Sequence, residues 1–300
     1  MAAPVALFVY NRINHTKEVI EALKKNELAS DTDLFIFSDG PKNDDYSESV
    51  NEVRVYINSL NGFKSVNIYE QKLNVGLATS IIQGVTKMLS DYEQVIVLED
   101  DLVTSPHFLR FMNEALELYK DDEGVVSIHA YMFPLNMSLP DTFFLKDPGC
   151  WGWATWKRGW ELFESDGKKL LNEIKRQGRV NDFNFNGSYN YLEMLESQVL
   201  GKNSSWAVRW YASAFLKNKL TLYPGNSLVR NIGHDASGTH SGLTKDFFVK
   251  LSETSIKVNR VPVNENLPVR VALIDFLRSI KVSLIRRFMI RIKSFIKKRD

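Results

Sequence analysis

Glu99, Asp100 and Asp101 stand side by side at the end of the apolar run Val95-Ile96-Val97-Leu98. Adjacent carboxylates raise one another's ionisation cost unless a cation answers them. The apolar run predicts an interior strand, and the C-terminal edge of such strands is where open α/β sheets bind ligands. Oxygen ligands there suit Mg²⁺ or Mn²⁺, which would in turn hold a diphosphate. A solvated acidic turn with a helix cap is the competing explanation. Three other polar turns also follow predicted strands. Tyr10-Asn11-Arg12 brings a guanidinium suited to phosphate or a base edge. Ser38-Asp39-Gly40-Pro41 brings a carboxylate that could accept from a uracil N–H, or simply hold its own turn. Asn74-Val75-Gly76-Leu77-Ala78 brings small residues that allow close approach of a ligand or a neighbouring strand.

The elements that must position these groups alternate. Strands are predicted at 5–10, 33–37, 65–69 and 94–98. Helices with one apolar face are predicted at 16–25, 48–60 and 76–89. This β-α alternation predicts a parallel sheet covered by helices, with right-handed crossovers. Beyond it, helices are expected at 107–120, 168–176, 189–199 and 206–217, and strands at 125–129 and 220–223.

Composition narrows the class. Three hundred residues with 44% hydrophobic and 25% charged content form one large domain or two small ones. The single cysteine, Cys150, excludes a disulfide framework and a cysteine metal site. Neither a signal peptide nor a spanning segment is expected. From Arg270 onward the chain carries ten Lys and Arg against two Asp, a balance of +8. The total of +2 therefore leaves −6 for the first 269 residues.

The ordered motifs Tyr10-Asn11-Arg12, Ser38-Asp39-Gly40, Asn74-Val75-Gly76-Leu77-Ala78 and Glu99-Asp100-Asp101 resemble those of nucleotide-sugar glycosyltransferases of the GT-A fold. The likeness is to family 2-like bacterial sugar transferases and the N-acetylglucosaminyltransferase I group, and spans residues 4–245. It implies an α/β, Rossmann-like, mostly parallel sheet flanked by helices. It also implies Tyr10, Arg12, Asp39, Asn74, Gly76, Glu99 and Asp100 at the donor, with Asp101 as a direct ligand of Mn²⁺ or Mg²⁺. A later histidine on the same metal is matched by His240. Trp-Gly-Trp-Ala-Thr-Trp at 151–156 matches a family pattern, with Trp151 and Trp153 expected against the acceptor and Trp156 and Trp160 in the core. Inverting relatives carry a basic aspartate where this chain has Ala207. Asp235 is the substitute to consider, and Arg209 could face phosphate.

The tail places Leu273, Leu277, Ile280, Leu284, Ile285, Phe288 and Ile292 at helical spacing among its cations. That pattern fits an interfacial helix on anionic lipid; a helix covering the domain's own core, or a homodimer contact, is the alternative. The expected organisation is a GT-A domain at 1–260, with a nucleotide-binding half at 1–101 and an acceptor half at 102–260. A hinge and basic amphipathic helix follow at 261–300. The expected activity is metal-dependent transfer of a sugar, UDP-linked, to a glycan or lipid-linked glycan in bacterial surface polysaccharide synthesis. The setting would be the cytoplasmic face of the plasma membrane. A sugar nucleotidyltransferase and a degenerate sugar-binding scaffold are the alternatives. Nucleic acid is not an expected partner.

Overall fold

The computed structural model describes residues 2–235 and 244–296, with side chains described as far as Lys281. Its first half runs β1 (Val5–Val9), α1 (Ile13–Lys24), β2 (Asp33–Ser38), α2 (Ser47–Asn58), β3 (Ser65–Glu70), α3 (Leu77–Asp91) and β4 (Gln94–Glu99). Then come β5 (Leu102–Thr104), α4 (Phe108–Tyr119), β6 (Val125–His129), β7 (Thr142–Leu145), β8 (Trp153–Trp156), α5 (Lys157–Trp160), α6 (Gly167–Arg176), α7 (Val180–Phe183) and α8 (Tyr191–Val199). The last elements are α9 (Trp206–Leu216), β9 (Leu220–Pro224), β10 (Val229–Asn231) and α10 (Leu267–Ile296).

Eight strands form one sheet in the order β3-β2-β1-β4-β8-β6-β9-β7. The first four are parallel. β8 inserts antiparallel to both β4 and β6. β1 is fully buried because helices cover both faces of a parallel sheet. Its register sets Phe8 beside Glu99 and Val9 beside Ser38. The chain therefore leaves β1, β2 and β4 at one level, and the turns after them converge. Two short strands, β5 and β10, pair antiparallel as a separate ribbon.

The aromatic segment corrects one expectation. Residues 153–156 form strand β8, whose side chains alternate between the two faces of the sheet. Trp153 is only 1% exposed. It stacks on Trp206 at 5.4 Å and lies 5.8 Å from Trp160 and 5.9 Å from Trp210. It belongs to the core, not to an acceptor pocket. Trp156 and Trp160 are buried too; their indoles donate to the Leu116 carbonyl and the Thr86 hydroxyl.

The root of α10 is docked on the body. Val269, Leu273, Ile274 and Leu277 are buried in the cluster built from α6, α8 and α9. Arg270 is buried between Glu265 (3.0 Å) and Asp182 (2.6 Å). Asn266 donates to the Phe144 carbonyl, so the segment expected as a hinge is fastened to the edge strand β7. Part of the apolar stripe read as lipid-facing thus covers the protein's own core. Among the described residues no helix is long and apolar enough to cross a membrane.

A core indole and a cleft indole respond differently to truncation. Trp153→Ala is expected to lower unfolding free energy by about 3–5 kcal/mol in urea titrations, and Trp151→Ala by clearly less. Equal small losses would return Trp153 to the surface.

Candidate functional site

The end of β4 holds a largely buried ion-pair cluster. Nη2 of Arg12 donates to Asp100 and, at 2.9 Å, to Asp101. Arg12 is the N-cap residue of α1 and Asp100 is 5% exposed, so both ends of the pair are held by packed elements. Burial alone would lower the basicity of Arg12, but Asp100 and Asp101 keep it above its ordinary value. Burial, then Asp101 and Asp100, lifts the Glu99 carboxyl well above the usual carboxylate range. Burial also raises Asp100, against the pull of Arg12. One guanidinium is thus shared by three acids. Its Nη1 is buried and has no acceptor among the described residues.

The β5–β10 ribbon brings a second segment to the same point. Asn231 pairs with Leu102, and the Ile232 N–H donates to the Asp101 carbonyl at 2.9 Å. A Cβ on Gly233 would press on the Asp101 carboxylate, so a larger residue there would push that side chain aside. The next residue, His234, packs 5.5 Å from Phe247 and 5.3 Å from Trp151. Both its ring nitrogens are buried without a hydrogen-bond partner among the described residues. Burial lowers its basicity against the opposing charge of Asp101, which favours the neutral imidazole that a metal needs. Sequence reasoning missed His234 by attending to His240, which lies outside the described residues. Asp235 turns outward to His15, with Oδ2 3.2 Å from Nε2.

Asp101 and His234 are chemically suited to a divalent cation, Mn²⁺ more than Mg²⁺. Among the described residues no three His, Cys, Asp or Glu side chains gather closely enough to enclose a metal. Most of the coordination sphere would then come from a diphosphate and water, the usual arrangement for Mg²⁺-type sites.

Asp39 has a different task from the one expected. Its Oδ1 accepts from the Gly40 and Val75 N–H groups at 2.8 and 2.9 Å. Its Oδ2 accepts from Asn74 Nδ2 and the Gly76 N–H at 3.0 and 2.9 Å. A carboxylate offers about four acceptor positions, so none is left for a nucleobase. Asp39 fastens the turn after β2 to the turn before α3, where Gly76 has φ +79°. Asn74 is likewise spent, donating also to the Gly40 carbonyl. Arg54 of α2 completes the clamp by donating to the Asp39 and Gln71 carbonyls. As a helix-surface arginine it gave no sequence signal.

Tyr10 accepts from the Lys42 N–H and lies 6.1 Å from the Tyr46 ring. Trp151 meets Tyr131 and His234 edge-on beside the acidic end of β4. Ala207 packs against the Trp153 cluster. Arg209 is not gathered with the others: Nε and Nη1 donate to the Ser205 and Ser165 carbonyls. Two further groups gave no sequence signal. Burial pushes the Asp147 carboxyl up to about 7, and Tyr191 Oη lies 3.5 Å from it. Burial, then Glu99 and Asp147, raises the thiol of Cys150.

A mixed sheet whose four parallel strands end in polar turns beside a carboxylate cluster is the architecture of the GT-A glycosyltransferases. Residues 5–172 match the model of glycosyl transferase family 2, and the chain belongs to that family. Among solved structures it is similar to S. aureus TarS 1–349, at 13% identity and TM-score 0.44, over 76% of this chain. It spans 59% of the length of that protein. It is also similar to the mannosyltransferase PcManGT from Pyrobaculum calidifontis in complex with GDP-Man and Mn²⁺, at 12% identity and TM-score 0.40, over 72% of this chain and 74% of that one. The search of curated proteins gives no match.

The clamp separates two roles for Asp39. Asp39→Asn is expected to speed amide hydrogen exchange at Val75 and Gly76 by about tenfold or more, the size of a lost charged hydrogen bond. It should weaken UDP and GDP by the same factor. Unchanged exchange with selective loss of UDP would restore the base-contact role.

Proposed function

We propose that this glycosyltransferase moves a sugar from a nucleoside-diphosphate donor, UDP-linked, to a glycan acceptor presented at a membrane surface. The observation that supports it is the meeting of Arg12, Asp100, Asp101 and His234 at the end of β4. Asp101 and His234 would hold a divalent cation, with His240 as the other candidate imidazole. The cation would neutralise charge developing on the departing diphosphate.

The chain's own residues do the rest. Arg12 balances Asp100 and Asp101, and its Nη1, unpartnered among the described residues, is a phosphate donor in waiting. Tyr10 offers a ring to the base. Asn74 and Gly76 shape the donor turn through Asp39 rather than by free side-chain contacts. Glu99 and Asp100 border the ribose and sugar. Trp151 gives the acceptor sugar an aromatic edge. Asp235 takes the acceptor hydroxyl proton, with His15 holding its carboxylate. Surface polysaccharide synthesis at the inner face of the plasma membrane fits the +8 tail. The lipid-facing part would begin beyond Leu277, after the docked root.

Ala207 favours one rival: a chain that binds donor without transferring it. Calorimetric titration of UDP with Mn²⁺, beside donor-hydrolysis assays on a panel of nucleotide sugars, decides. Asp101→Ala should weaken metal-dependent UDP binding by about tenfold or more, and chelation should abolish hydrolysis. Parallel His234→Ala and His240→Ala variants identify the imidazole by the same loss. UDP binding that is equal in chelator and in Mn²⁺ would refute the metal role. Binding without hydrolysis of any donor would favour the rival.

A further inference from the structure

A cavity of about 700 Å³ lies between α3 and the loop joining α8 to α9. It falls in the range of small-molecule sites, roughly 300–1,000 Å³. None of Arg12, Asp39, Asn74, Asp101 or His234 lines it. Its polar lining comes from Thr79 and Gln83 on α3, Gln198, Asn203 and Ser204 on the loop side, and Arg209 on α9. Among the described residues no carboxylate lines it.

Arg209 is the unusual member. Its side chain is partly buried, and Nε and Nη1 are spent on two backbone carbonyls at 3.2 and 3.1 Å. Its guanidinium stands 5.9 Å from the Phe163 ring. Burial lowers its basicity, and no acid opposes the effect. It makes no ion pair among the described residues, and Nη2 donates to none of them. Arg12 and Arg270, also at packed junctions, are each matched by two carboxylates, while Arg158, half-buried like Arg209, is met by three backbone carbonyls. A half-buried cation lacking a counter-ion leaves desolvation uncompensated, and an arriving anion would supply what the protein does not.

We infer that this cavity is an acceptor subsite for an anionic sugar, with Arg209 pairing the acid group and the amides and hydroxyls of the walls pairing sugar hydroxyls. A carboxylate and a phosphate share the chemistry that Arg209 selects. The location suits an acceptor. The cavity begins at Ala78, two residues past Gly76 of the donor turn, and Arg209 shares α9 with Ala207. That the sugar is an acceptor rests on the glycosyltransferase function proposed above; the anion site itself rests on the cavity.

Calorimetry on the full chain with defined disaccharides tests this. The probes are cellobiose, cellobiouronic acid and cellobiose 6′-phosphate, with UDP and Mn²⁺ titrated in a separate cell. At least one acidic disaccharide should bind about tenfold tighter than cellobiose, the size of a charge-assisted hydrogen bond. The tighter acid identifies the group. Arg209→Gln should reduce it to the cellobiose level, and added salt should weaken it. Gln83→Trp, an exposed position that fills the mouth, should block the acid while leaving UDP binding intact. Equal binding of acidic and neutral disaccharides would overturn the subsite, as would unchanged affinity in Arg209→Gln. If Arg209→Gln instead loses UDP, Arg209 belongs to the donor. Failure of UDP itself would count against the transferase function and not against the cavity.

Discussion

Everything at the functional end of this molecule depends on how the charge at the end of β4 is balanced. Three consecutive acids sit where a buried strand ends, and burial makes the ionised forms of Glu99 and Asp100 costly. In the structure one arginine from the first helix carries the balance, bonded to Asp100 and Asp101 together. Removing one partner from a buried ion pair typically costs about 3–5 kcal/mol, so the arrangement is held tightly yet remains short of positive charge. A nucleoside diphosphate brought in with a divalent cation would add both the missing cation and acceptors for the unpaired guanidinium nitrogen.

The sheet makes that arrangement possible. Register places the ends of β1, β2 and β4 side by side, and the β5–β10 ribbon carries Gly233 onto the face of Asp101. Close approach, more than any single hydrogen bond, delivers His234. The donor turn before α3 is braced separately, through the four hydrogen bonds on Asp39. One carboxylate group is therefore kept ready for charge, and another is spent on three backbone N–H groups and the Asn74 amide.

Much of this was legible in the sequence. The alternation of apolar strands and one-faced helices marked every element from β1 to β4, because local periodicity and burial agree there. The acidic end of β4 and Arg12 were visible as charges in places that cost energy. What failed depended on contacts far apart in the chain. Trp153 looked like a ligand-facing aromatic because composition does not show which face of β8 is covered by α5 and α9. Asp39 looked free because its donors come from residues 74–76 as well as its own turn. His234 was overlooked because the short ribbon that positions it has no periodic signal, and Leu273 and Leu277 read as lipid-facing because their partners lie on other helices.

The most direct test of the charge balance at β4 is paramagnetic broadening of nuclear magnetic resonance signals by Mn²⁺ in the presence of UDP. Signals of the Arg12 Nε–H, the Gly233 amide and the His234 ring should broaden at the lowest metal concentrations, before signals elsewhere. Broadening that spares all three, or that starts at another acidic patch, would contradict a cation site at the end of β4.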